Sequence, residues 1–222
     1  VAEPAEGILQ IDKPAGMTSH DVVAAVRHRL GGVKTGHAGT LDPFATGLLL
    51  VLLGRATKLQ DRLMGLPKAY ETLAILGARS STGDPEGEIE QTGSMPADPP
   101  PLPTGEVVQR PPIYSAIKIE GERAYKRARR GESFAMPPRI VTVYRFEQTW
   151  RQGERARFEI ECSSGTYVRS LIADLDDAYC QELRRTRIGP FDVADAVAPP
   201  RRGEPWNAPQ PLTIEHVRAL LQ

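Results

Sequence analysis

A chain of 222 residues with 40% hydrophobic content is long enough for one domain with a real core, or for one domain plus a small appendage. Its 28 basic residues balance 28 acidic ones, so net charge neither marks nor excludes a nucleic-acid partner, and local clusters decide. Cys162 and Cys180 make no disulfide framework and lie in no CxxC or Cys/His array, which argues against zinc, while the apolar run LLLVLL at 48–53 is too short to span a bilayer.

No charged and apolar leader opens the chain, so a reducing, cytoplasmic location is the expectation. GILQID, 7–12, alternates around Ile8, Leu9 and Ile11 and reads as a strand ended by Pro14 and Gly16. Thr18 or Ser19 can N-cap a helix with Asp21 in its first turn, one face carried by Val22, Val23, Val26 and Leu30, stopped at Gly31-Gly32. Residues 33–47 read as a glycine-punctuated loop, 48–53 as a buried strand, and 55–64 as a short amphipathic helix.

YETLAILGA, 70–78, reads as a strand, with a turn at Gly83-Asp84-Pro85 and EGEIEQT pairing back. The Pro-rich stretch 94–112 reads as a surface loop, IYSAIKIEG as a strand, and RAYKRARRG as a helix ending at Gly131. RIVTVYRFEQTW and RARFEIECSS form an antiparallel pair. TYVRSLIADL is a helix with Ser164 or Thr166 near its start, ELRRTRIGPFDVADAV is extended, and a last helix starts from Thr213. With no repeats and no regular βαβ rhythm, the fold class is α+β, a mainly antiparallel mixed sheet flanked by helices.

Candidate chemistry begins with Asp42 in GHAGTLDPFATG, 36–47. Pro43 forces residue 42 into extended geometry, and glycines 36, 39 and 47 permit close approach of another backbone or a ligand. Asp42 is either a turn aspartate bonding its own backbone or an acid lifted out of a sheet for catalysis. His37 in the same loop makes an HxxxxD pair with no third ligand, a weak metal signal, and SSG at 163–165 is not the elbow of a serine hydrolase. No phosphate loop or dinucleotide fingerprint is present.

Arg169, in the first turn of its helix, stands against the dipole preference and wants a carboxylate. The plain partner is a nearby acid such as Asp174; the functional one is Asp42, held by a guanidinium fork. Arg123, Lys126, Arg127, Arg129 and Arg130 make either a solvated helix or a phosphate-contacting face, and Arg184, Arg185, Arg187, Arg201 and Arg202 add further clusters. Tyr70 opens an apolar strand, either as core or as a platform on which a base stacks.

Taken together these segments resemble TruB-type tRNA pseudouridine synthases. GHAGTLDPFATGLL is similar to the family's catalytic loop and GILQIDKPAGMTSHD to its N-terminal motif. AYETLAILG is similar to the strand of its active-site tyrosine, and QRPPIYSAIKIEGERAYKRARRGE to its central motif. CSSGTYVRSLIADL resembles its arginine motif and ELRRTRIGPF the segment after it, all in family order over about residues 7–195. The stretch around LDDA, 175–178, and the Pro-rich stretch 94–108 are both shorter than their family counterparts.

The resemblance implies a catalytic domain over 7–198 and, over 199–222, a C-terminal extension or remnant, with a full RNA-binding C-terminal domain absent or reduced. It implies isomerisation of the uridine at position 55 of the tRNA T loop to pseudouridine by base flipping, without cofactor, metal or guide RNA, by a cytoplasmic enzyme expected to be a monomer. Asp42 would be the essential acid, Tyr70 would stack on the base, and Arg169 would pair with Asp42. Leu183 would pack in the base pocket and His37 would fill space left by flipped bases. Lys13, Lys118 and Tyr167 would support pocket or RNA, and Arg127 and Arg130 would meet phosphates. Two other readings stand beside it: a non-catalytic tRNA-binding or folding module on the same scaffold, and a hydrolase using His37 and Asp42.

Overall fold

The computed structural model describes residues 5–115, 117–119, 121–132 and 134–222. The chain divides into two compact units, Val1–Tyr70 with Leu183–Gln222, and Glu71–Glu182.

The first unit begins with β1 (Gly7–Lys13), α1 (Ser19–Arg29), β2 (Thr35–Ala38) and β3 (Thr46–Leu53). A 3-10 turn over Gly54–Leu59 runs into α2 (Gln60–Met64), and β4 (Lys68–Leu76) then carries the chain into the second unit. β3 is the centre: β1 and β2 pair with it antiparallel, from Gly7↔Leu53 to Lys13↔Gly47 and from Thr35↔Leu53 to Ala38↔Leu50. Its continuous apolar run is needed because both faces are covered. Leu48, Leu50 and Leu52 pack with Ile8, Ala38 and Phe191 on one side, while Leu49, Val51 and Leu53 pack with Leu9, Ile11, Val22 and Val26 on the other. Each such side chain contributes about 1.5–3 kcal/mol by leaving water.

α1 starts at a complete capping box: the Thr18 hydroxyl accepts from the Asp21 N–H at 3.0 Å and the Asp21 carboxylate accepts from the Thr18 N–H at 2.9 Å. The loop expected over 33–47 contains β2, four residues whose backbone bonds go to β3 despite the flanking glycines.

In the second unit, β5 (Ala78–Ser80) pairs with β6 (Ile89–Gln91) as a small ladder of its own, matching the expected turn and return strand. β7 (Gly105–Gln109) lies inside the stretch expected to be a loop; its residues pair antiparallel with Arg139–Val143, so tertiary pairing overrides the local prolines. Within the described part of IYSAIKIEG, where a strand is expected, β8 (Lys118–Ile119) pairs with β9 (Glu122–Arg123), and residues 113–115 are bends. Next come α3 (Ala124–Arg129), β10 (Arg139–Gln152), β11 (Arg155–Cys162) and α4 (Val168–Ala173). β10 and β11 form the expected antiparallel pair around an edge-to-face contact of Phe146 and Phe158, centroids 5.6 Å apart. The N-cap of α4 is Tyr167 rather than Ser164 or Thr166, and it makes no side-chain cap.

β12 (Ala178–Ile188) returns the chain to the first unit at Leu183, where Arg184 and Arg185 pair parallel with Thr46 and Gly47 of β3. β13 (Phe191–Asp192) folds back on β12. α5 (Ile214–Leu220), capped by the Thr213 hydroxyl, follows. Residues 199–222 are joined to the first unit at a few points: Leu212 exchanges backbone hydrogen bonds with Ile8, and Val217 is fully buried among Ile8, Leu50 and Leu63.

Candidate active site

The Asp42 loop is held from three directions within the first unit. Lys13, fully buried at the end of β1, donates to the Pro14 and Met17 carbonyls at 2.8 and 2.7 Å and to the Pro43 carbonyl at 3.2 Å. The Gly16 N–H reaches the same Pro43 carbonyl at 2.9 Å. From α1, the buried Ser19 hydroxyl accepts from the Leu41 N–H at 2.9 Å and donates to the Leu41 carbonyl at 3.2 Å. Both backbone neighbours of Asp42 are thereby fixed, and the Asp42 carbonyl itself receives the Ala45 N–H at 3.2 Å. Such a loop is pre-organised to present one acid.

A buried arginine, Arg185, lies within electrostatic reach of that acid. Only 1% exposed, it donates from Nε to the Leu48 carbonyl at 2.8 Å and from a terminal nitrogen to the Gly39 carbonyl at 3.0 Å. It also hydrogen-bonds the Tyr70 side chain and feels the Asp42 carboxylate. Burial pushes its guanidinium below the ordinary value, and Tyr70 and Asp42 push back. Arginine stays charged in any such balance, so a permanent cation bonds the tyrosine and lies within electrostatic reach of the aspartate.

Two glycines make room for it. Gly47 has φ +103°, and a Cβ there would meet the Arg185 carbonyl oxygen at 2.2 Å. Gly39 has φ +93°, with the Arg185 side chain 3.4 Å from where its Cβ would be. The close approach expected of the glycines is thus made by β12. Gly36 has only ordinary contacts, the nearest at 3.7 Å, and its small size is not required.

Leu183, 6% exposed, precedes this arginine by one strand repeat, and the intervening Arg184 makes a two-pronged pair with Asp12 at 2.9 and 2.8 Å. His37 lies on β2 opposite Val51, half-buried, and Tyr70 is half-buried on β4.

In the second unit Arg169 is 3% exposed and has partners of its own. It donates to Asp84 Oδ2 at 2.9 Å, to the Thr82 carbonyl at 2.7 Å and to the Tyr114 carbonyl at 2.9 Å. Asp84, an acid the sequence does not single out for this role, also accepts from the Thr82 hydroxyl at 2.6 Å and the Glu86 N–H at 3.1 Å. Tyr167 is docked by Gln109, whose side-chain amide takes both its N–H and its carbonyl at 2.8 and 2.9 Å, and Arg139 lies over its ring at 4.9 Å.

The helix cations expected to meet phosphates have carboxylate partners: Arg127 bonds Glu132 at 2.7 Å, and Arg130 bonds Glu122 in two-pronged fashion at 2.7 Å and Glu132 as well. Lys118 is placed on β8, but its side chain lies outside the described residues. Among the described residues no group of three His, Cys, Asp or Glu can hold a metal. No described helix is long and apolar enough to cross a membrane.

The residue missed in the sequence is Arg185, read there only as one cation of a cluster. Strand periodicity carries the signal, since period two places it on the buried face of Leu183. A cation repeated on a buried strand face demands acceptors.

The family model described as TruB family pseudouridylate synthase (N terminal domain) matches residues 27–168. The chain is 43% identical over 202 residues to tRNA pseudouridine synthase B of Pseudomonas fluorescens, covering 86% of this chain and 66% of that protein. It is 44% identical over 207 residues to tRNA pseudouridine synthase B of Corynebacterium aurimucosum, covering 86% and 69%. The chain thus spans about two thirds of the length of these curated relatives. Among solved structures, a chain in the crystal structure of a Cbf5-Nop10-Gar1 complex superimposes with a TM-score of 0.64 at 34% identity, covering 84% of this chain and 50% of that one. A chain of an H/ACA RNP bound to a substrate RNA containing 2'-deoxyuridine does so with 0.61 at 31% identity, covering 84% and 48%.

Proposed function

Because the chain belongs to the TruB family of pseudouridylate synthases, we propose that it isomerises the uridine at position 55 of the tRNA T loop to pseudouridine. The observation that carries the proposal is the clamped Asp42 loop, with a buried Arg185 guanidinium that feels its acid and bonds Tyr70. Isomerisation breaks the N1–C1′ bond, turns the base and joins C5 to C1′, with the C5 proton lost as N1 takes one up. The Asp42 carboxylate serves as nucleophile or takes a proton from the sugar. Within electrostatic reach of Arg185, it is presented from a fixed loop and needs no reorganisation at the moment of reaction.

A uridine inside a folded T loop must leave its stack to reach an acid on such a loop. Tyr70 then offers an aromatic face to the base, and its hydroxyl, anchored on Arg185, fixes the ring plane. Leu183 supplies apolar wall, and His37 occupies the space from which bases depart. Arg169, expected to pair with Asp42, has its guanidinium held within its own unit by Asp84 and the Thr82 and Tyr114 carbonyls. Tyr167, Arg127 and Arg130 meet RNA, the last two exchanging their glutamate partners for phosphates.

Higher identity to the tRNA enzymes, 43% against 34% and 31%, supports action without guide RNA. The two buried free thiols, Cys162 and Cys180, support a reducing cytoplasmic setting. The test is to incubate the protein alone with an unmodified tRNA transcript and map pseudouridine by nucleotide. One modification, in the T loop at position 55, is expected; none, or modification only when a guide RNA is added, would refute the proposal.

A further inference from the structure

The C-terminal half of α1 lies between two clefts. One, of about 640 Å³, is lined by Ala25, His28 and Arg29 of α1 and by Arg201, Arg202 and Glu204. The other, of about 540 Å³, lies along His20, Arg27, His28 and Thr35. Four arginines and two histidines face these clefts against one carboxylate, Glu204. In a chain of zero net charge this is a segregated patch.

Arg27, His28 and Arg29 in the last turn of α1 have a plain explanation, since cations there complement the helix dipole. That explanation does not reach Arg201 and Arg202. They come from a segment far along the chain that is tied to this helix by Arg29, which donates to the Arg201 carbonyl at 2.9 Å across 172 residues and also to the Glu204 carbonyl. With those carbonyls turned onto Arg29, the loop leaves the Arg201 and Arg202 side chains exposed at the cleft. The fold thus spends an arginine on fixing a loop that adds two more cations to an already basic surface.

We propose that this cleft, formed by the end of α1 and the 201–204 loop, binds RNA backbone phosphates as a contact site separate from the Asp42 loop. The inference rests on the reading of the substrate as tRNA. α1 sets the spacing: Ser19 at its start bonds Leu41, next to Asp42, and Arg29 ends it ten residues later. At 1.5 Å per residue that is about 15 Å, so the cleft meets phosphates several nucleotides from the flipped base. Contacts of this kind hold and orient an RNA without reading its sequence.

The test measures binding of unmodified tRNA transcript to the whole chain over a range of salt, for wild type, for Arg201→Glu/Arg202→Glu, and for Arg218→Glu, an exposed α5 arginine outside both clefts. Two lost phosphate contacts lower the slope of log affinity against log salt by about 1.5 and weaken binding roughly tenfold at low salt. The double variant is expected to show both, with an unchanged melting temperature and an unchanged single-turnover rate at saturating tRNA, while Arg218→Glu follows wild type. A double variant with wild-type affinity and slope overturns the cleft, as does an equal loss in Arg218→Glu. Pseudouridine formation by the wild type is scored separately. A cleft that fails while the wild type still modifies tRNA leaves the Asp42 reading intact, and a wild type that binds tRNA through the cleft without modifying it overturns only that reading.

Discussion

Each unit buries an arginine against carbonyls and a carboxylate, and the two arginines serve different ends. In the second unit Arg169 meets Asp84, whose side chain is 6% exposed and whose oxygens also take a hydroxyl and a backbone N–H of the same turn. That pair closes a turn. In the first unit Arg185 anchors two carbonyls and the Tyr70 side chain, and it is felt by Asp42, a half-buried acid on a loop clamped by Lys13 and Ser19. The lesson is that a buried ion pair locates a functional acid only when the surroundings fix the backbone beside the acid and leave its carboxylate presented.

Breaking each arginine separates the two cases. Arg169→Met strands the Asp84 carboxylate in the interior and is expected to cost about 3–5 kcal/mol in denaturant unfolding. Adding Asp84→Asn should recover part of that loss, and full additivity of the two changes would show that the pair is not coupled. Arg185→Met is expected to cost about 2–4 kcal/mol, because the Gly39 and Leu48 carbonyls lose their donor inside the core. Unlike Asp84 with Arg169, Asp42 should couple with Arg185 in turnover: once Asp42 is Asn, the further change at Arg185 should leave the residual rate almost unaltered.

Gly47→Ala sharpens the comparison from the backbone side. Its Cβ would overlap the Arg185 carbonyl in a left-handed conformation, and a loss of about 2–3 kcal/mol with slower turnover is expected, read by thermal melting and single-turnover rates. Gly36→Ala, with no such clash, should be near neutral.

The smallest effect belongs to the α1 cap. Thr18→Ala should cost about 1 kcal/mol near neutral pH. Hydrogen bonds from the Thr18 hydroxyl and N–H hold the Asp21 carboxyl below the ordinary aspartate range. The stabilisation is therefore complete above that ordinary value and is lost as pH falls through the lowered one. The gap between wild type and variant should narrow in acid, and a pH-independent gap would show that Asp21 takes no part in the cap.

Much of this was legible in residue order. β3 is readable as a strand covered on both faces because apolar residues fill both periods, and the caps at Thr18 and Thr213 announce α1 and α5. β7 was hidden because its partner, Arg139–Val143, lies some thirty residues away and local prolines dominate the window. α4 starts from Tyr167, without a side-chain cap, and the Tyr167 N–H goes to Gln109, a side chain distant in the sequence. In the site, the Asp42 loop is visible through Pro43 and its glycines, whereas Arg185 and Asp84 reveal their roles only when strand faces and turn partners are known.

The measurement that bears most directly on the central claim is the single-turnover rate of Asp42→Asn on bound, unmodified tRNA, beside wild type. The account predicts normal folding, tRNA affinity within about twofold and loss of pseudouridine formation by a factor of about 10⁴ or more. Pseudouridine formed at position 55 at the wild-type rate by the Asp42→Asn protein would contradict it.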